Sequence, residues 1–151
     1  MLRLTKKLLF AIEAVLDIAY NGGTSPVQSG DITGRQGIPR RYLEQVLQQL
    51  VRAGILEGVR GPKGGYRLAR ERRRITLGEI VRVVRALDGS EDLLGDEGGA
   101  ELGRRVVRPL WSELQEELMS QLDTITIEEL CTRAHNVGIA GAYASRLDFS
   151  I

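Results

Sequence analysis

Arginine and glutamine side chains between residues 40 and 52 form the part of the sequence best suited to chemistry, namely hydrogen bonding to nucleic-acid bases. If this segment is a helix, its free face carries Arg40, Arg41, Gln45, Gln48, Gln49 and Arg52, with Tyr42 near its start. In a major groove, an arginine can donate two hydrogen bonds to guanine, and a glutamine can both donate to and accept from adenine. Because ordinary solvated helices also show this pattern, the face alone leaves both interpretations open.

The next segment favours nucleic acid. Two short stretches of strand character, 55–59 and 65–68, flank the loop 60–66 of sequence Arg-Gly-Pro-Lys-Gly-Gly-Tyr. Its glycines permit tight turns and its proline stiffens the tip, so that Arg60 and Lys63 can follow a DNA backbone or enter a minor groove. A nucleotide-binding loop is disfavoured because this loop opens no helix and lacks the Lys-Ser/Thr pair of a P-loop. A polar helix followed by a cationic hairpin predicts a winged helix-turn-helix that binds double-stranded DNA.

Residues for catalysis or metal binding are scarce. Cys131 and His135 are each the sole residue of their type, and their spacing of four places them on one helix face. Across a two-fold dimer they could form a tetrahedral Cys₂His₂ zinc site, or Cys131 could be a redox-sensing thiol. The interpretation that we favour is a buried structural cysteine and a surface histidine near a helix C-terminus. Because no Ser-His-Asp set or paired carboxylates fall on predicted loops, we predict that the protein is not an enzyme.

Two predicted helices precede the polar helix. Thr5 is placed to cap a first helix that ends near Tyr20, before Asn-Gly-Gly. Ser29 is placed to cap a short second helix over 31–36, which Gly37 ends.

The polar helix itself begins with Pro39 in its first turn, where a backbone N–H would have no hydrogen-bond acceptor within the helix. Its opposite face carries an apolar stripe at helical spacing, able to dock on the first two helices: Leu43, Val46, Leu47, Leu50 and Val51.

Beyond the hairpin, two capping boxes mark further helices. Thr76 opens a helix that reaches Leu87, and Thr126 opens a short helix to about Asn136. Pro109 either kinks the long helix that lies between them or marks its effective start. We therefore divide the chain into a winged helix-turn-helix domain (1–87), an acidic glycine-rich loop (88–100), a dimerisation helix with a short C-terminal helix (101–136), and a tail (137–151). The tail is expected to be loosely held or to lie on a partner subunit.

The long helix carries more apolar surface than a small domain can cover. Its apolar residues recur at intervals of four over several turns. Homodimerisation is the economical explanation, and the residues that we assign to it are Leu110, Trp111, Leu114, Leu118 and Leu122.

Charge is distributed unevenly along the chain. The net charge is +1, but residues 1–74 hold 14 Lys/Arg and 6 Asp/Glu, whereas residues 75–151 hold 7 and 14. The basic half suits a phosphate backbone, while the acidic half faces away from it. With one cysteine, no signal peptide and no apolar run able to span a bilayer, a cytoplasmic protein without membrane contact is expected.

The sequence resembles the Rrf2 family of bacterial transcription regulators over roughly four fifths of its length. The matching motifs, in family order and spacing, are Leu4-Thr5 with Lys6 or Lys7, Asp31-Ile32, Gln36-Gly37-Ile38, Tyr42-Leu43-Glu44-Gln45, Gly54-Ile55-Leu56, the loop 60–66, Gly78-Glu79-Ile80, Leu110-Trp111 and Ile125-Thr126-Ile127.

This resemblance implies a mainly α fold with a small β-wing, and a homodimer on a partly palindromic operator. The third helix would lie in the major groove and the wing in the minor groove, where Arg60 would enter. Glu44 would lie where a family acidic residue selects among bases, since a carboxylate accepts from cytosine. The DNA-binding residues that we expect are Thr5, Lys6, Arg40, Arg41, Tyr42, Glu44, Gln45, Gln48, Arg60 and Lys63.

The chain departs from the family in one respect. Many members hold an iron-sulfur cluster with three cysteines in the region that corresponds to residues 88–108, which here contains neither cysteine nor histidine. Arg105 and Arg108 fall near the positions of the late ligands. Because thiolates hold such clusters, we expect no cofactor of this kind.

The leading hypothesis is a cluster-free, dimeric, sequence-specific DNA-binding regulator that acts as a repressor. One alternative is a protein-interaction module derived from a winged helix, which docks on an enzyme or polymerase through its acidic half. Another is a regulator that senses an unknown small ligand, or a redox change through Cys131. The retained cations at Arg40, Arg41, Arg60 and Lys63 favour the first.

Overall fold

The computed structural model describes residues 5–23, 25–88 and 99–142. Over these ranges the chain is mainly helical with a two-stranded wing, as predicted. None of the helices in the described ranges is long and apolar enough to cross a membrane. The elements in chain order are α1 (Lys6–Gly22), α2 (Ser29–Gln36), α3 (Arg40–Arg52), β1 (Leu56–Val59), β2 (Gly65–Leu68), a 3₁₀ turn (Arg72–Arg74), α4 (Leu77–Asp88), a π-helical turn (Gly103–Val107), α5 (Arg108–Thr124) and α6 (Ile127–Asn136).

Helix α1 begins as predicted. The Thr5 hydroxyl accepts a hydrogen bond from the Leu8 amide at 3.2 Å, which satisfies one of the unpaired amides of the first turn. The helix continues to Gly22, two residues beyond the predicted end at Tyr20.

The predicted cap of α2 is wrong by one residue. Gln28 is the N-cap and makes no side-chain cap bond, while Ser29 is already helical. Val27 pairs with Tyr66 in an antiparallel bridge, so the chain is extended up to Gln28 and the helix begins immediately after it. At the other end, Gly37 adopts the left-handed conformation (φ 65°, ψ 28°) and stops α2 as predicted.

Helix α3 begins at Arg40, so Pro39 is its N-cap and not a residue of its first turn. The extended ψ of Pro39, 130°, makes this difference. The apolar stripe is confirmed, since Leu43, Leu47 and Leu50 are inaccessible to solvent, although Val51 is only partly buried.

The core lies around α1, which contacts α2, α3, α4 and α6. Burying one such aliphatic side chain is worth about 1.5–3 kcal/mol, so these contacts dominate the stability of the domain. The fully buried residues include Val15, Ile32, Ile38, Leu43, Leu47, Leu50, Ile55, Leu56, Ile75, Ile80, Val81 and Ile127.

Strands β1 and β2 are antiparallel, with Leu56 opposite Leu68 and Val59 opposite Gly65. The first strand starts one residue later than predicted because the Ile55 amide bonds back to the Leu50 carbonyl of α3 at 3.0 Å. This bond ties the hairpin directly to the end of α3.

Helix α4 starts at a half-formed capping box. The Thr76 hydroxyl accepts from the Glu79 amide at 3.3 Å, but the Glu79 carboxylate pairs with Arg70 and does not reach back to Thr76. The Arg70 pair, with bonds of 3.2 and 2.7 Å, joins the end of β2 to α4 and raises the pKa of Arg70. Helix α4 ends at Asp88, and most of the predicted acidic loop, 89–98, lies outside the described residues.

Pro109 marks the start of α5. It is the second residue of α5, but the preceding residues Val107 and Arg108 also have right-handed helical angles, so its missing amide interrupts a continuous helical backbone. The preceding turn, Gly103–Val107, has π-helical geometry, which is consistent with a ladder interrupted at the proline.

The end of α5 is joined firmly to the start of α4. The Leu77 amide donates to the Ile125 carbonyl and the Ile127 amide to the Ile75 carbonyl, both at 2.9 Å. Arg82 makes two bonds of 2.8 Å with Asp123 and thereby lowers the pKa of that carboxyl group. The position and direction of α5 relative to the winged domain are therefore set by backbone pairing as well as by this ion pair.

Helix α6 is capped by Thr126 as predicted, through a bond of 3.1 Å from the Glu129 amide.

The segment after α6 differs from the expected loose tail over its described part. The Tyr20 hydroxyl donates to the Ile139 carbonyl, and the Ala142 amide donates to the Asn21 side chain at 2.8 Å. Residues 137–142 are thus held on α1 of the same chain, and residues 143–151 lie outside the described part.

Candidate nucleic-acid interface

One face of α3 is exposed and mainly polar. We name it the recognition face and define it as the exposed residues Arg40, Arg41, Tyr42, Glu44, Gln45 and Gln48. Because the buried stripe holds the other side of the helix, these side chains project from a fixed platform. Gln49 of the predicted polar face is only partly exposed, which makes it a weaker candidate.

Arg40 and Glu44 form an ion pair within the recognition face. The Arg40 Nε donates to the Glu44 carboxylate at 3.2 Å, and the two side chains are 81% and 55% exposed. An exposed pair at this spacing is worth only about 0.3–0.5 kcal/mol. Arg40 can therefore exchange Glu44 for a phosphate or a base at little cost.

Tyr42 is the member of the recognition face that is fixed by other side chains. Its ring lies 6.4 Å from the Phe10 ring at an interplanar angle of 54°, and the Lys7 ammonium lies 5.4 Å from its centroid. Such ring and cation contacts contribute about 0.5–1.5 kcal/mol each. Sequence reasoning missed Phe10, although its place one turn from the capped end of α1 was a usable signal.

At the N-terminal end of α1, the Thr5 hydroxyl caps the helix and so has a structural role. Lys6 is exposed and available to a phosphate, whereas Lys7 covers Tyr42. A cavity of about 140 Å³ lies between α1, α3 and α4, lined by Lys7, Phe10, Tyr42, Gln45, Val46, Val84 and Leu87.

The wing presents Arg60 and Lys63 at an exposed tip. Two contacts hold this tip to the rest of the domain. Val27 bonds Tyr66 in both directions at 2.8 Å, and the Gln28 side chain donates to the Pro62 carbonyl at 3.3 Å. The wing is consequently a part of the helix-turn-helix unit and not a free hairpin.

The base of the wing needs glycine at Gly65. Its φ is 151°, and a Cβ there would lie 2.4 Å from the Val27 carbonyl oxygen. Only glycine permits β2 to approach Val27 closely enough for the two bonds just described.

A buried carboxylate that sequence reasoning did not single out joins α1 to α2. Asp17 accepts from the Arg35 Nε and Nη2 at 2.9 and 2.8 Å, and from the Gln36 Nε2 at 2.7 Å. The Asp17 side chain is 0% exposed. This hydrogen bonding raises the pKa of Arg35. A charged residue among apolar neighbours of α1 was the only sequence signal for it.

Helix α5 exposes the apolar surface that was assigned to a dimer. Its core-facing side consists of half-buried residues, among which Met119 and Leu122 pack on the core. Leu122, one of the residues assigned to the dimer, thus packs in part on the core of its own chain. The neighbouring side of the helix is exposed, with Leu110, Trp111, Leu114 and Leu118 between 42% and 54% accessible.

Cys131 and His135 lie in different environments within the chain. Cys131 is 4% exposed and belongs to the core, and burial raises the pKa of its thiol against the opposing effect of the Arg72 guanidinium. His135 is exposed on α6. Within residues 5–23, 25–88 and 99–142, no group of three or more His, Cys, Asp or Glu side chains could hold a metal ion.

Comparison with protein families identifies relatives over most of the chain. Residues 4–133 match the family model of Rrf2, described as an iron-dependent transcriptional regulator. The chain is 38% identical over 143 residues to the HTH-type transcriptional regulator IscR of Klebsiella pneumoniae (strain 342). The aligned region covers 93% of this chain and 86% of that protein.

Solved structures show the same fold. The T. potens IscR structure has a TM-score of 0.74 and 32% identity, covering 94% of this chain and 95% of its own. The global cysteine regulator CymR of B. subtilis has a TM-score of 0.70 and 28% identity, covering 88% of this chain and 98% of its own.

Proposed function

Because the chain belongs to the Rrf2 family of transcriptional regulators, we propose that it acts as a homodimeric repressor that binds a partly palindromic operator without an iron-sulfur cluster. The protein is a DNA-binding transcription regulator with a winged-helix fold, and its family is not enzymatic. The dimer, the repression and the absence of a cluster are the parts of this statement that we propose.

The observation that carries the proposal is the rigid union of the recognition face with the wing. Both have cationic side chains at exposed positions, and backbone hydrogen bonds tie the wing to the end of α3 and to Val27, just before α2. A rigid platform loses little conformational freedom when it binds. The residues that we assign to DNA contact are Thr5, Lys6, Arg40, Arg41, Tyr42, Glu44, Gln45, Gln48, Arg60 and Lys63.

The exposed side of α5 supports the homodimer. Leu110, Trp111, Leu114 and Leu118 form a continuous apolar stripe next to the core-facing side of the same helix. Contiguous apolar surface of this kind on a soluble protein marks an interaction site. A two-fold dimer would present two recognition faces to half-sites about one helical turn apart.

The donor atoms of this chain do not fit an iron-sulfur cluster. Such clusters are held by several cysteine thiolates, sometimes with histidine. The sequence contains one cysteine, which is buried in the core on α6, and one histidine. We therefore assign no step of the mechanism to a cluster and propose that DNA binding depends on the protein side chains alone.

The test is a selection of genomic DNA fragments by the purified protein, followed by footprinting of the strongest fragment. We expect a protected region with two related half-sites, and unchanged protection after treatment with an iron chelator. Protection of a single half-site would contradict the dimer, and protection that chelator abolishes would contradict the cluster-free assignment. Absence of any footprint at low salt would contradict operator binding itself.

A further inference from the structure

Helix α2 is weakly anchored by apolar contacts. It has eight residues, two of which are glycines without a side chain to pack, and among its side chains Ile32 is the buried one. Packing of a single aliphatic side chain restricts how far a helix lies from its neighbour but leaves its direction poorly determined. Another interaction must set the direction of α2.

The Asp17 carboxylate makes that interaction at the C-terminal end of α2. It accepts three hydrogen bonds, two from the Arg35 guanidinium and one from the Gln36 amide. A two-pronged arginine–carboxylate pair is directional, because both bonds are satisfied in one relative orientation only. Asp17 thereby fixes the direction of the end of α2 and not merely its distance from α1.

The end of α2 is coupled closely to the start of α3. Only Gly37, Ile38 and Pro39 separate Gln36 from Arg40, the first residue of α3. Gly37 bonds back to α2, and the Ile38 side chain is buried. A displacement at Gln36 therefore passes into the first turn of α3, where three residues of the recognition face lie.

Only one partner of this ion pair is buried, because the Asp17 side chain is 0% exposed and the Arg35 side chain is 33% exposed. Burial of a carboxylate is costly unless it is paired and hydrogen-bonded, and the three hydrogen bonds to Asp17 meet this need. An aliphatic side chain in its place would avoid the desolvation cost but would make no directional bond to the end of α2.

We propose that Asp17 is a positioning residue of the DNA-binding surface, whose carboxylate sets the direction of α2 and, through it, the placement of the first turn of α3 on DNA. This inference rests on the proposed operator binding. Asp17 itself is enclosed by the protein and touches no DNA.

The experiment measures two affinities for each variant. One is for the fragment that the wild-type protein retains most strongly, and the other is for a random-sequence duplex of equal length at low salt. The variants are Asp17→Asn, which removes the charge at constant size, and Gln36→Ala, which removes one donor and leaves the ion pair. The control is Glu79→Gln, which breaks the two-bond pair with Arg70 in the same domain but away from α2.

We expect Asp17→Asn to bind the selected fragment about tenfold more weakly or worse. Its affinity for the random duplex should be unchanged, because every cation of the surface remains. Gln36→Ala should show a smaller loss in the same direction, and Glu79→Gln should keep the wild-type ratio of the two affinities. Measurements are made where circular dichroism shows each variant to be folded.

The inference would be overturned if folded Asp17→Asn and Gln36→Ala proteins kept the wild-type ratio of selected-fragment affinity to random-duplex affinity. It would also be overturned if Glu79→Gln lowered this ratio as much as Asp17→Asn does. If Asp17→Asn does not fold, Gln36→Ala decides. A wild-type protein with no preference for any fragment would instead refute the proposed function, and the inference with it.

Discussion

At the scale of single residues, Arg60 and Lys63 carry the charge of the wing tip. A cation of a rigid hairpin can follow the phosphate backbone or enter a narrow minor groove. Loss of a cation that contacts the phosphate backbone should weaken binding to all sequences. Loss of one that enters the minor groove should weaken binding mainly to the operator.

Replacement of Arg60 by Ala should weaken operator binding by about 1–3 kcal/mol, comparable to one lost specific contact. Fluorescence titration of the operator fragment measures the change. Arg133→Ala removes an exposed cation of α6 that pairs with Glu129, and it should leave the affinity within experimental error. An unaltered affinity of the Arg60 variant would exclude this side chain from DNA recognition.

Replacement of Gly65 by Ala should destabilise the winged domain by about 1–3 kcal/mol, because of the strained φ and the contact with the Val27 carbonyl. Urea unfolding gives the free energy of unfolding directly. Gly58→Ala on the neighbouring strand is a matched control, since a Cβ there has nothing within 4 Å. Equal stability of the two variants would show that β2 does not need a glycine at its base.

At the scale of elements, α5 combines three kinds of surface on one helix. One side packs on the core through Met119 and Leu122, the next is the apolar stripe, and a third carries Glu113, Glu116 and Glu117. The pairing of Ile125 and Ile127 with the start of α4 fixes the rotation of α5 about its axis. This rotation is what leaves the apolar stripe exposed.

If the apolar stripe of α5 forms the proposed dimer interface, Trp111→Ala should shift the protein toward monomer, because a buried aromatic side chain contributes a large part of such an interface. Sedimentation velocity over a range of micromolar concentrations gives the dissociation constant. Glu116→Ala changes the acidic side of the same helix and should leave the dimer unaffected. A variant that remains fully dimeric at low micromolar concentration would place the interface elsewhere.

At the scale of the whole molecule, the basic N-terminal half contains the recognition face and the wing, and the acidic C-terminal half contains α5 and α6. Such a division attracts DNA to one part of the protein and repels it from the other. The net charge of +1 conceals this arrangement.

Operator affinity should therefore fall steeply with salt, although the protein is nearly neutral overall. If a dimer meets six phosphates, the slope of log K against log salt is about −5. Titrations between low and physiological salt measure it. A slope near zero would mean that phosphate contacts do not contribute, in conflict with the assigned surface.

Local patterns were sufficient to predict most elements and the polar face of α3. The apolar stripe of α3, the glycine that ends α2, and the caps at Thr5 and Thr126 depend on residues close together in the chain. Such short-range signals are present in the sequence because helix periodicity and capping involve neighbours within about four residues. The division of charge and the lack of cysteines in the family's cluster region are likewise properties of the sequence alone.

Tertiary structure decided what depends on residues far apart. The bridge between Val27 and Tyr66 sets the limit of the extended chain before α2, and Leu122 packs in part on its own core because backbone bonds to α4 orient α5. In the sequence Asp17 is only an interruption of an apolar helix, whereas in the structure it binds Arg35 and Gln36, which lie 18 and 19 residues along the chain. No local pattern encodes such pairs, because their partners meet only when the helices pack.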